Sequence, residues 1–185
     1  MTDRRRLHPG GGDATELRQC LLRQVAYATQ AAIDVVQIRE RDLEARPLAA
    51  LVAEVVAMTR GSRTKIVVND RLDIALACGA DGVHLRCDSV PSAAARALAP
   101  TGFLIGRSVH SVAEAAEAGS DVDYLLAGAV WSTASKPQGY RPIGPDGLAA
   151  ITRAVAVPVL AIGGIDLERV ADARRAGAAG IAAIG

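Results

Sequence analysis

Short apolar runs and amphipathic stretches alternate along this chain. The apolar runs are rich in Val and Ile and predict buried strands at 35–38, 65–68, 82–85, 103–106, 124–130, 157–162 and 179–184. The intervening stretches have helical spacing and predict helices at 13–31, 47–60, 72–78, 91–98, 111–118, 145–155 and 166–176. A regular succession of strand and helix is typical of a parallel sheet with crossover helices.

Local signals mark where several of these helices begin and end. Ser111 with Glu114 fits a capping box, and Asp166 fits a helix N-cap. The sequences CGADGVHL (78–85) and AGAAGIAAIG (176–185) echo one another. This echo predicts two joints, each running from a helix into a strand, that are built in the same way.

Composition narrows the class of protein. The chain has 185 residues, which favours one domain spanning 1–185, and only five of them are aromatic. The 21 Lys and Arg residues nearly balance the 20 Asp and Glu residues, so a net charge of +1 gives no general attraction for nucleic acid or anionic membranes.

The cysteines and the chain start bear on location. Cys20, Cys78 and Cys87 are odd in number and lack zinc spacing, which favours a reducing cytoplasm. No apolar stretch is long enough to cross a membrane, and the N-terminus lacks the apolar region of a secretory signal.

Two α/β architectures fit the pattern, an open doubly wound sheet and a closed (β/α)₈ TIM barrel. Polar residues follow nearly every predicted strand, which is typical of a barrel with one site at its mouth. We therefore predict a TIM barrel. A barrel of eight strands would have a further strand before the first helix, but only Met1 to Asp3 stand where that strand would end. The chain also stops at the end of a predicted strand. The barrel thus lacks most of its first strand and its last helix, and such a seam would offer a surface for a homo-oligomer.

Several strand ends carry groups suited to anions and cations. Gln37, Arg39 and Arg41 fall on one side of an extended segment and suit a phosphate or diphosphate. The alternative is that the two arginines pair with Glu40, Asp42 or Glu44. Asp70, with Asp88 as a second ligand, could hold Mg²⁺. The alternatives are a helix N-cap for Asp70 and a turn residue for Asp88.

The second half of the chain offers further candidates. Ser108 suits substrate hydrogen bonding, whereas His110 and His84 are interpreted as structural histidines. The long loop 132–144 carries Thr133, Ser135 and Lys136, which could hold an anion. Gly163 and Gly164 fit either a phosphate-binding turn or a tight turn that needs small residues. The Arg4-Arg5-Arg6 run is interpreted as a solvated chain end.

Five motifs together resemble one known family, thiamine phosphate synthase and its relative, the thiazole tautomerase. They are QIRER from Gln37, VVNDRLDIALACGADGVHL from Val67, GRSVHS from Gly106, STASKP from Ser132 and AIGGI from Ala161. The resemblance implies a (β/α)₈ barrel. It also implies a transferase that joins 4-amino-2-methylpyrimidine-5-ylmethyl diphosphate to a thiazole phosphate and releases diphosphate. In that family Mg²⁺ and basic residues draw off the diphosphate, and the thiazole nitrogen captures the pyrimidine cation.

The resemblance also implies roles for individual residues. Lys136 and Ser108 are the implied catalytic residues, with Lys136 stabilising the leaving group, and Asp70 and Asp88 are the implied metal ligands. The implied contacts to the pyrimidine diphosphate are Gln37, Arg39, Arg41, Asn69, Ser108 and Lys136. The implied contacts to the thiazole phosphate are Thr133, Ala134, Ser135, Gly164, Ile184 and Gly185.

The chain departs from the synthase pattern at several positions. Arg41 stands where Lys is usual, Arg86-Cys87 replaces a Gly-Gln pair, and the second aspartate aligns with Ser89. Three hypotheses follow: a synthase with an altered metal site, a tautomerase-like isomerase of the thiazole phosphate, or a non-catalytic protein that binds phosphates of the thiamine pathway. The tautomerase histidine is replaced by Ala129, whereas Lys136 and Thr133 favour the synthase.

Overall fold

The computed structural model describes residues 1–8, 10–133, 135–137 and 139–184. Within them the strands are β1 (Val35–Ile38), β2 (Lys65–Asn69), β3 (Gly82–Leu85), β4 (Leu104–Val109), β5 (Tyr124–Gly128), β6 (Val159–Ile162) and β7 (Gly180–Ala182). The α-helices are α1 (Ala14–Gln30), α2 (Ala45–Thr59), α3 (Leu72–Ala77), α4 (Ser92–Leu98), α5 (Val112–Ala118), α6 (Gly144–Ala154) and α7 (Leu167–Arg175). Two 3₁₀ helices cover Arg4–Arg6 and Gly119–Asp121. Each predicted strand and helix therefore exists at its expected place.

The chain forms two compact units. The first contains Met1–His84 and Ala99–Leu104, together with Ile184. In this unit β1 pairs with β2 and β2 with β3, all parallel, so the strands lie in chain order. Its core is built from apolar side chains that exclude water almost completely, among them Leu21, Val25, Ile38, Val52, Val55 and Ile66.

The second unit contains Leu85–Leu98 and Ile105–Ala183. Its strands are also parallel and in chain order, because β4 pairs with β5, β5 with β6, and β6 with β7. Ile105, Leu125, Leu148 and Ile151 are buried at its centre. Aliphatic side chains fill both cores, as the small number of aromatic residues predicts.

Four strands differ by two residues or more in their bounds from the sequence expectation: β5 ends at Gly128, two residues before the predicted end, β6 begins at Val159, two residues after the predicted start, and β4 and β7 differ more. β4 continues to Val109, three residues beyond the predicted end at 106, because Arg107 and Ser108 keep their parallel register with Leu125 and Leu126. Polar side chains in a strand do not interrupt backbone pairing, although they interrupt an apolar run. β7 is shorter than predicted and is not buried, since Ile181 is 45% exposed on this edge strand.

The two joints with similar sequences have the same hydrogen bonds. After α3 the N–H of Ala80 donates to Ala75 O over 2.9 Å, with Gly79 at φ +66°. After α7 the N–H of Ala178 donates to Ala173 O over 3.1 Å, with Gly177 at φ +89°. Both are Schellman motifs, in which a left-handed glycine satisfies the last helical carbonyls. The repeated joint is confirmed.

The chain start lies beside β1. The N–H of Thr2 donates to Gln37 O over 2.8 Å, and Thr2 Oγ1 accepts a hydrogen bond from the N–H of Arg39. The start is therefore fixed to the end of β1, the strand that carries the first candidate residues. None of the helices described has both the length and the apolar character needed to cross a bilayer.

Candidate functional site

Two amide side chains meet at the ends of neighbouring strands in the first unit. Gln37 belongs to β1, and Asn69 ends β2. The Nε2 atom of Gln37 donates to Oδ1 of Asn69 over 3.1 Å, and Gln37 is buried. The structure thus places two of the predicted substrate-binding residues side by side.

Two guanidinium groups, those of Arg39 and Arg41, follow β1. The sequence left open whether Arg39 and Arg41 pair with Glu40, Asp42 or Glu44. Within the described ranges, no carboxylate forms an ion pair with either arginine. The pKa of Arg39 is lowered from its ordinary value, first because burial disfavours its charge and then because Arg41 repels it. A bound anion would relieve that repulsion.

Arg4 is not part of a solvated chain end, and for this residue the sequence interpretation is wrong. Its side chain is buried and pairs with both Glu40 and Asp42, whereas Arg5 and Arg6 are exposed. A run of three arginines gives no periodic signal that one member turns inward, so the sequence could not single it out. Arg4 thus pairs with two of the three candidate carboxylates, Glu40 and Asp42.

Asp70 follows β2 in a left-handed backbone conformation, with φ +60°. Its N–H donates to His84 O over 2.9 Å. The alternative role as an N-cap is wrong, because α3 begins at Leu72 and Arg71 occupies the cap position. The carboxylate of Asp70 therefore lies directly after a buried strand, one residue before the cap position of α3.

The donor set tests whether Mg²⁺ fits. Mg²⁺ is usually held by one or two carboxylates while waters and substrate phosphates complete its octahedron. Asp70 can supply one carboxylate. Asp88, in the second unit, forms an ion pair with Arg86. Ser89 Oγ accepts a hydrogen bond from the N–H of Arg86, which agrees with the alternative interpretation of Asp88 as a turn residue. Among the residues the structure describes, no three His, Cys, Asp or Glu side chains could hold a metal together. Asp70 would hold Mg²⁺ as the one protein carboxylate, and the cation would supply positive charge to a substrate phosphate.

The end of β4 carries residues with different roles. Ser108 lies within the strand, opposite Leu126. The neighbouring Arg107 donates to the carbonyls of Val90 and Cys87 over 2.8 and 2.9 Å, which holds the segment after β3. Adjacent strand residues point to opposite faces. Ser108 therefore faces away from the side on which Arg107 anchors that segment.

The structural interpretation of the two histidines agrees with their surroundings. His110 Nδ1 lies 3.1 Å from Glu114 Oε2, and the N–H of His110 donates to the same oxygen. Ser111 Oγ accepts from the N–H of Glu114, as the predicted capping box requires. The Glu114 carboxylate accepts in return from the N–H of His110, one residue earlier than the expected N–H of Ser111. His84 is 2% exposed, and burial lowers its pKa to about 4, so it is neutral at physiological pH.

A compact turn in the second unit carries the predicted anion-binding residues after β5. Thr133 Oγ1 lies 3.1 Å from Ser135 Oγ, and the N–H of Lys136 donates to Thr133 O over 3.2 Å. Lys136 Nζ lies 4.5 Å from the centre of the Tyr140 ring, a cation–π contact. The Tyr140 hydroxyl accepts from the N–H of Ala129 over 3.2 Å. Tyr140 was missed because one aromatic residue in a loop carries no positional signal.

The glycine pair after β6 packs against the start of this turn. Gly164 has φ +64°, and a Cβ atom there would meet the carbonyl oxygen of Ser132 and, at 2.9 Å, the Cβ of Trp131. A side chain is therefore excluded for steric reasons. Arg169, also missed from the sequence, donates to Gly164 O over 2.5 Å and lies 5.7 Å from the Trp131 ring centre.

The remaining predicted thiazole phosphate contacts are only partly described. Ile184 lies after β7, is half-buried and belongs to the first compact unit. Ala134 and Gly185 lie outside the described residues. In the second unit the structure thus brings Gly164 next to the segment that leads into Thr133, Ser135 and Lys136.

Parallel strands in chain order, with polar groups at their carboxyl ends, are typical of the class of α/β barrels. The family model described as thiamine monophosphate synthase matches residues 12–185. The chain therefore belongs to the thiamine monophosphate synthase family.

Individual relatives agree with this assignment. A thiamine-phosphate synthase of Chloroflexus aurantiacus is 44% identical, over 81% of this chain and 69% of its own length. One of Methanospirillum hungatei is 45% identical, over 81% and 73%. The solved thiamine phosphate pyrophosphorylase from Pyrococcus furiosus matches with a TM-score of 0.81 and 35% identity, covering 99% of this chain and 82% of that one. The predicted fold class, an α/β TIM-barrel-like fold that lacks parts, is confirmed.

Proposed function

We propose that this chain is a transferase that forms thiamine phosphate. The C–O bond between the pyrimidine methylene and the diphosphate breaks, and the electron pair leaves with the diphosphate. The thiazole nitrogen then donates its lone pair to the pyrimidine cation, which forms the new C–N bond. The products are thiamine phosphate and diphosphate, so atoms and charge balance without a further reactant.

The observation that carries this proposal is the pair Arg39 and Arg41, which have no ion-pair partner among the described carboxylates. A diphosphate has more negative charge than a monophosphate, and planar guanidinium groups bind its oxygens through paired hydrogen bonds. A tautomerase acting on a thiazole monophosphate has no diphosphate to bind. Similarity to two thiamine-phosphate synthases supports the same choice.

The first unit supplies residues for the pyrimidine diphosphate. Arg39 and Arg41 bind the diphosphate, while the Gln37–Asn69 amide pair offers hydrogen bonds to the pyrimidine end of the substrate. Asp70 holds Mg²⁺, which when bound neutralises part of the charge on the leaving diphosphate. Asp88 contributes to the metal site only when its ion pair with Arg86 opens.

The second unit supplies the leaving-group cation and the thiazole phosphate contacts. Lys136 stabilises the departing diphosphate, and Ser108 hydrogen-bonds the pyrimidine diphosphate. Thr133, Ala134, Ser135 and Gly164 bind the thiazole phosphate, together with Ile184 and Gly185. We propose that residues 1–185 act as one functional domain in the cytoplasm, as a homo-oligomer with small-molecule substrates.

The test is thiamine phosphate formation by the purified chain, given both substrates with Mg²⁺ and then with EDTA. We expect Mg²⁺-dependent product, and Lys136→Ala should lower kcat/KM at least about a hundredfold, as removal of a donor to a developing anion does. The other lysine of the sequence provides the control, since Lys65 is exposed and pairs with Asp81, so Lys65→Ala should retain turnover. Absence of product from folded wild-type protein would contradict the proposal, and assays for tautomerase activity and phosphate binding would then identify the alternative.

A further inference from the structure

Arg4 holds two carboxylates that would otherwise lie beside the anion-binding arginines. Its Nη1 atom lies 2.8 Å from Glu40 Oε2 and 2.9 Å from Asp42 Oδ1, and its Nη2 atom lies 2.8 Å from Asp42 Oδ2. The Glu40 side chain is 1% exposed, whereas that of Asp42 is 34% exposed. One guanidinium thus binds a buried carboxylate and a partly exposed one.

Thr2 completes the surroundings of Glu40. Its hydroxyl donates to Glu40 Oε1 over 2.7 Å, and the N–H of Arg4 lies 3.2 Å from both Glu40 oxygens. The same Thr2 hydroxyl accepts from the N–H of Arg39 over 3.0 Å. The chain start therefore fixes both the Glu40 carboxylate and the backbone from which Arg39 projects.

The order of residues after β1 gives these contacts their importance. Arginine and acidic residues alternate from Arg39 to Asp42, so in the absence of Arg4 each arginine has an acidic neighbour in sequence. An arginine paired with a carboxylate offers fewer donors and less net charge to a phosphate. In the structure Arg4 takes both acidic residues of this segment.

The electrostatic environment agrees with this geometry. Burial is the largest single influence and raises the pKa of Asp42, but the hydrogen bond from Arg4, a backbone hydrogen bond and the charges of Arg4 and Arg5 together hold the pKa below its ordinary value. Asp42 therefore carries a full negative charge at neutral pH, and this charge neutralises whichever cationic side chain pairs with it.

We propose that Arg4 is a positioning residue that withdraws Glu40 and Asp42 from Arg39 and Arg41, which leaves these two arginines able to bind diphosphate. The inference rests on the proposed function only in assigning diphosphate to Arg39 and Arg41. Arg4 itself contacts no substrate in this arrangement.

The experiment measures binding of inorganic diphosphate by calorimetry, with Mg²⁺ and separately with EDTA. The first variant is Arg4→Gln with Glu40→Gln, which removes the buried ion pair as a whole and leaves Asp42 with only the long contact to Arg5, at 4.0 Å. We expect it to bind diphosphate about tenfold more weakly than wild type, because the released carboxylate neutralises a neighbouring arginine. Arg18→Gln with Glu54→Gln is the charge-matched control, since it removes as a whole an ion pair between exposed side chains of the same unit, and it should change affinity less than about twofold.

Adding Asp42→Asn to the double variant distinguishes a role of Arg4 in sequestering charge from a purely structural role. If Arg4 acts by sequestering charge, the triple variant should recover affinity to within about threefold of wild type, and KM for the pyrimidine diphosphate should follow while kcat changes little. A purely structural role would leave the triple variant as weak as the double. Either that result or unchanged binding by the double variant would overturn the inference.

The inference can still be tested if the double variant fails to fold. If thermal melting shows that the double variant is unfolded, Arg4→Lys replaces it. A lysine keeps one positive charge but cannot hydrogen-bond both carboxylates as a guanidinium does. Diphosphate binding is then compared with and without Asp42→Asn. Failure of the proposed function is a different result, namely that wild-type protein binds diphosphate in an Arg4-dependent manner but forms no thiamine phosphate. Lack of diphosphate binding by wild-type protein would overturn the inference itself.

Discussion

Single residues at the candidate site differ in what fixes them. Gly164 is required by two independent constraints, a left-handed backbone and the nearby Ser132 carbonyl, so no L side chain fits there. Lys136 is held by a softer interaction, a cation–π contact of the kind that contributes about 0.5–1 kcal/mol at an exposed site. The steric constraint excludes a side chain at position 164, and the weak contact of Lys136 agrees with the leaving-group role proposed for it.

Gly164→Ala should raise KM for the thiazole phosphate about tenfold or more while changing KM for the pyrimidine diphosphate little. The reason is that a Cβ atom displaces Ser132, which precedes the turn bearing Thr133 and Ser135. Steady-state kinetics with each substrate varied in turn provides the measurement.

Gly79→Ala is a matched control for this substitution. Gly79 has nearly the same φ, +66°, but a Cβ atom added there would meet no heavy atom within 4 Å, so this variant carries the backbone strain without the collision. An equal effect of the two substitutions on KM would contradict the steric explanation.

Helix ends show how local sequence produces whole elements. Asp13 Oδ1 accepts from the N–H groups of Thr15 and Glu16 over 2.7 and 2.8 Å, and Glu16 Oε2 accepts from the N–H of Asp13 over 3.0 Å. This capping box starts α1, and it was missed although the Asp-x-x-Glu spacing is present in the sequence. The helix that begins the first unit is thus fixed by two exposed carboxylates.

Asp13→Ala should lower the free energy of unfolding by about 1 kcal/mol, because two helix N–H groups lose their acceptor. Denaturant titration followed by circular dichroism gives this value. Asp13→Asn keeps an acceptor oxygen and should cost less than half as much. A loss as large for asparagine as for alanine would show that charge, not hydrogen bonding, is what the cap provides.

The elements could be predicted from the sequence because periodicity and caps are local properties. Continuous apolar runs gave the strands, and the paired glycines gave the joints after α3 and α7. The role of Arg4 could not be predicted, since it depends on contacts with Glu40 and Asp42 across more than thirty positions. Long-range ion pairs leave no pattern in a single sequence, and neither does the contact between Lys136 and Tyr140.

At the scale of the whole molecule, stability depends on a histidine that folding keeps neutral. His84 is buried, and burial lowers its pKa from 6.5 to about 4. The unfolded chain therefore takes up a proton at a higher pH than the folded chain does, and stability falls as pH decreases through that window. Asp42 acts in a separate range, because its pKa lies below its ordinary value of 3.8 and its contribution is lost only at still lower pH.

We expect the free energy of unfolding to fall by up to about 3 kcal/mol between pH 6.5 and pH 4, with little change from this residue above pH 6.5. Urea titrations at intervals across this range provide the measurement. His84→Gln removes the titrating group and should flatten the profile, even if its stability at pH 7 is lower. An unchanged slope in this variant would show that other groups cause the acid sensitivity.

Trp131 gives the molecule a built-in optical reporter. It is the only tryptophan of the sequence; its ring lies beside Arg169, and its Cβ and backbone lie next to Gly164. Excitation at the red edge of the absorption band, where the three tyrosines contribute little, therefore yields emission from one place in the second unit. Titration of unlabelled protein with phosphate esters can then be followed as a shift or quench of this emission, separately from events at Arg39 and Arg41.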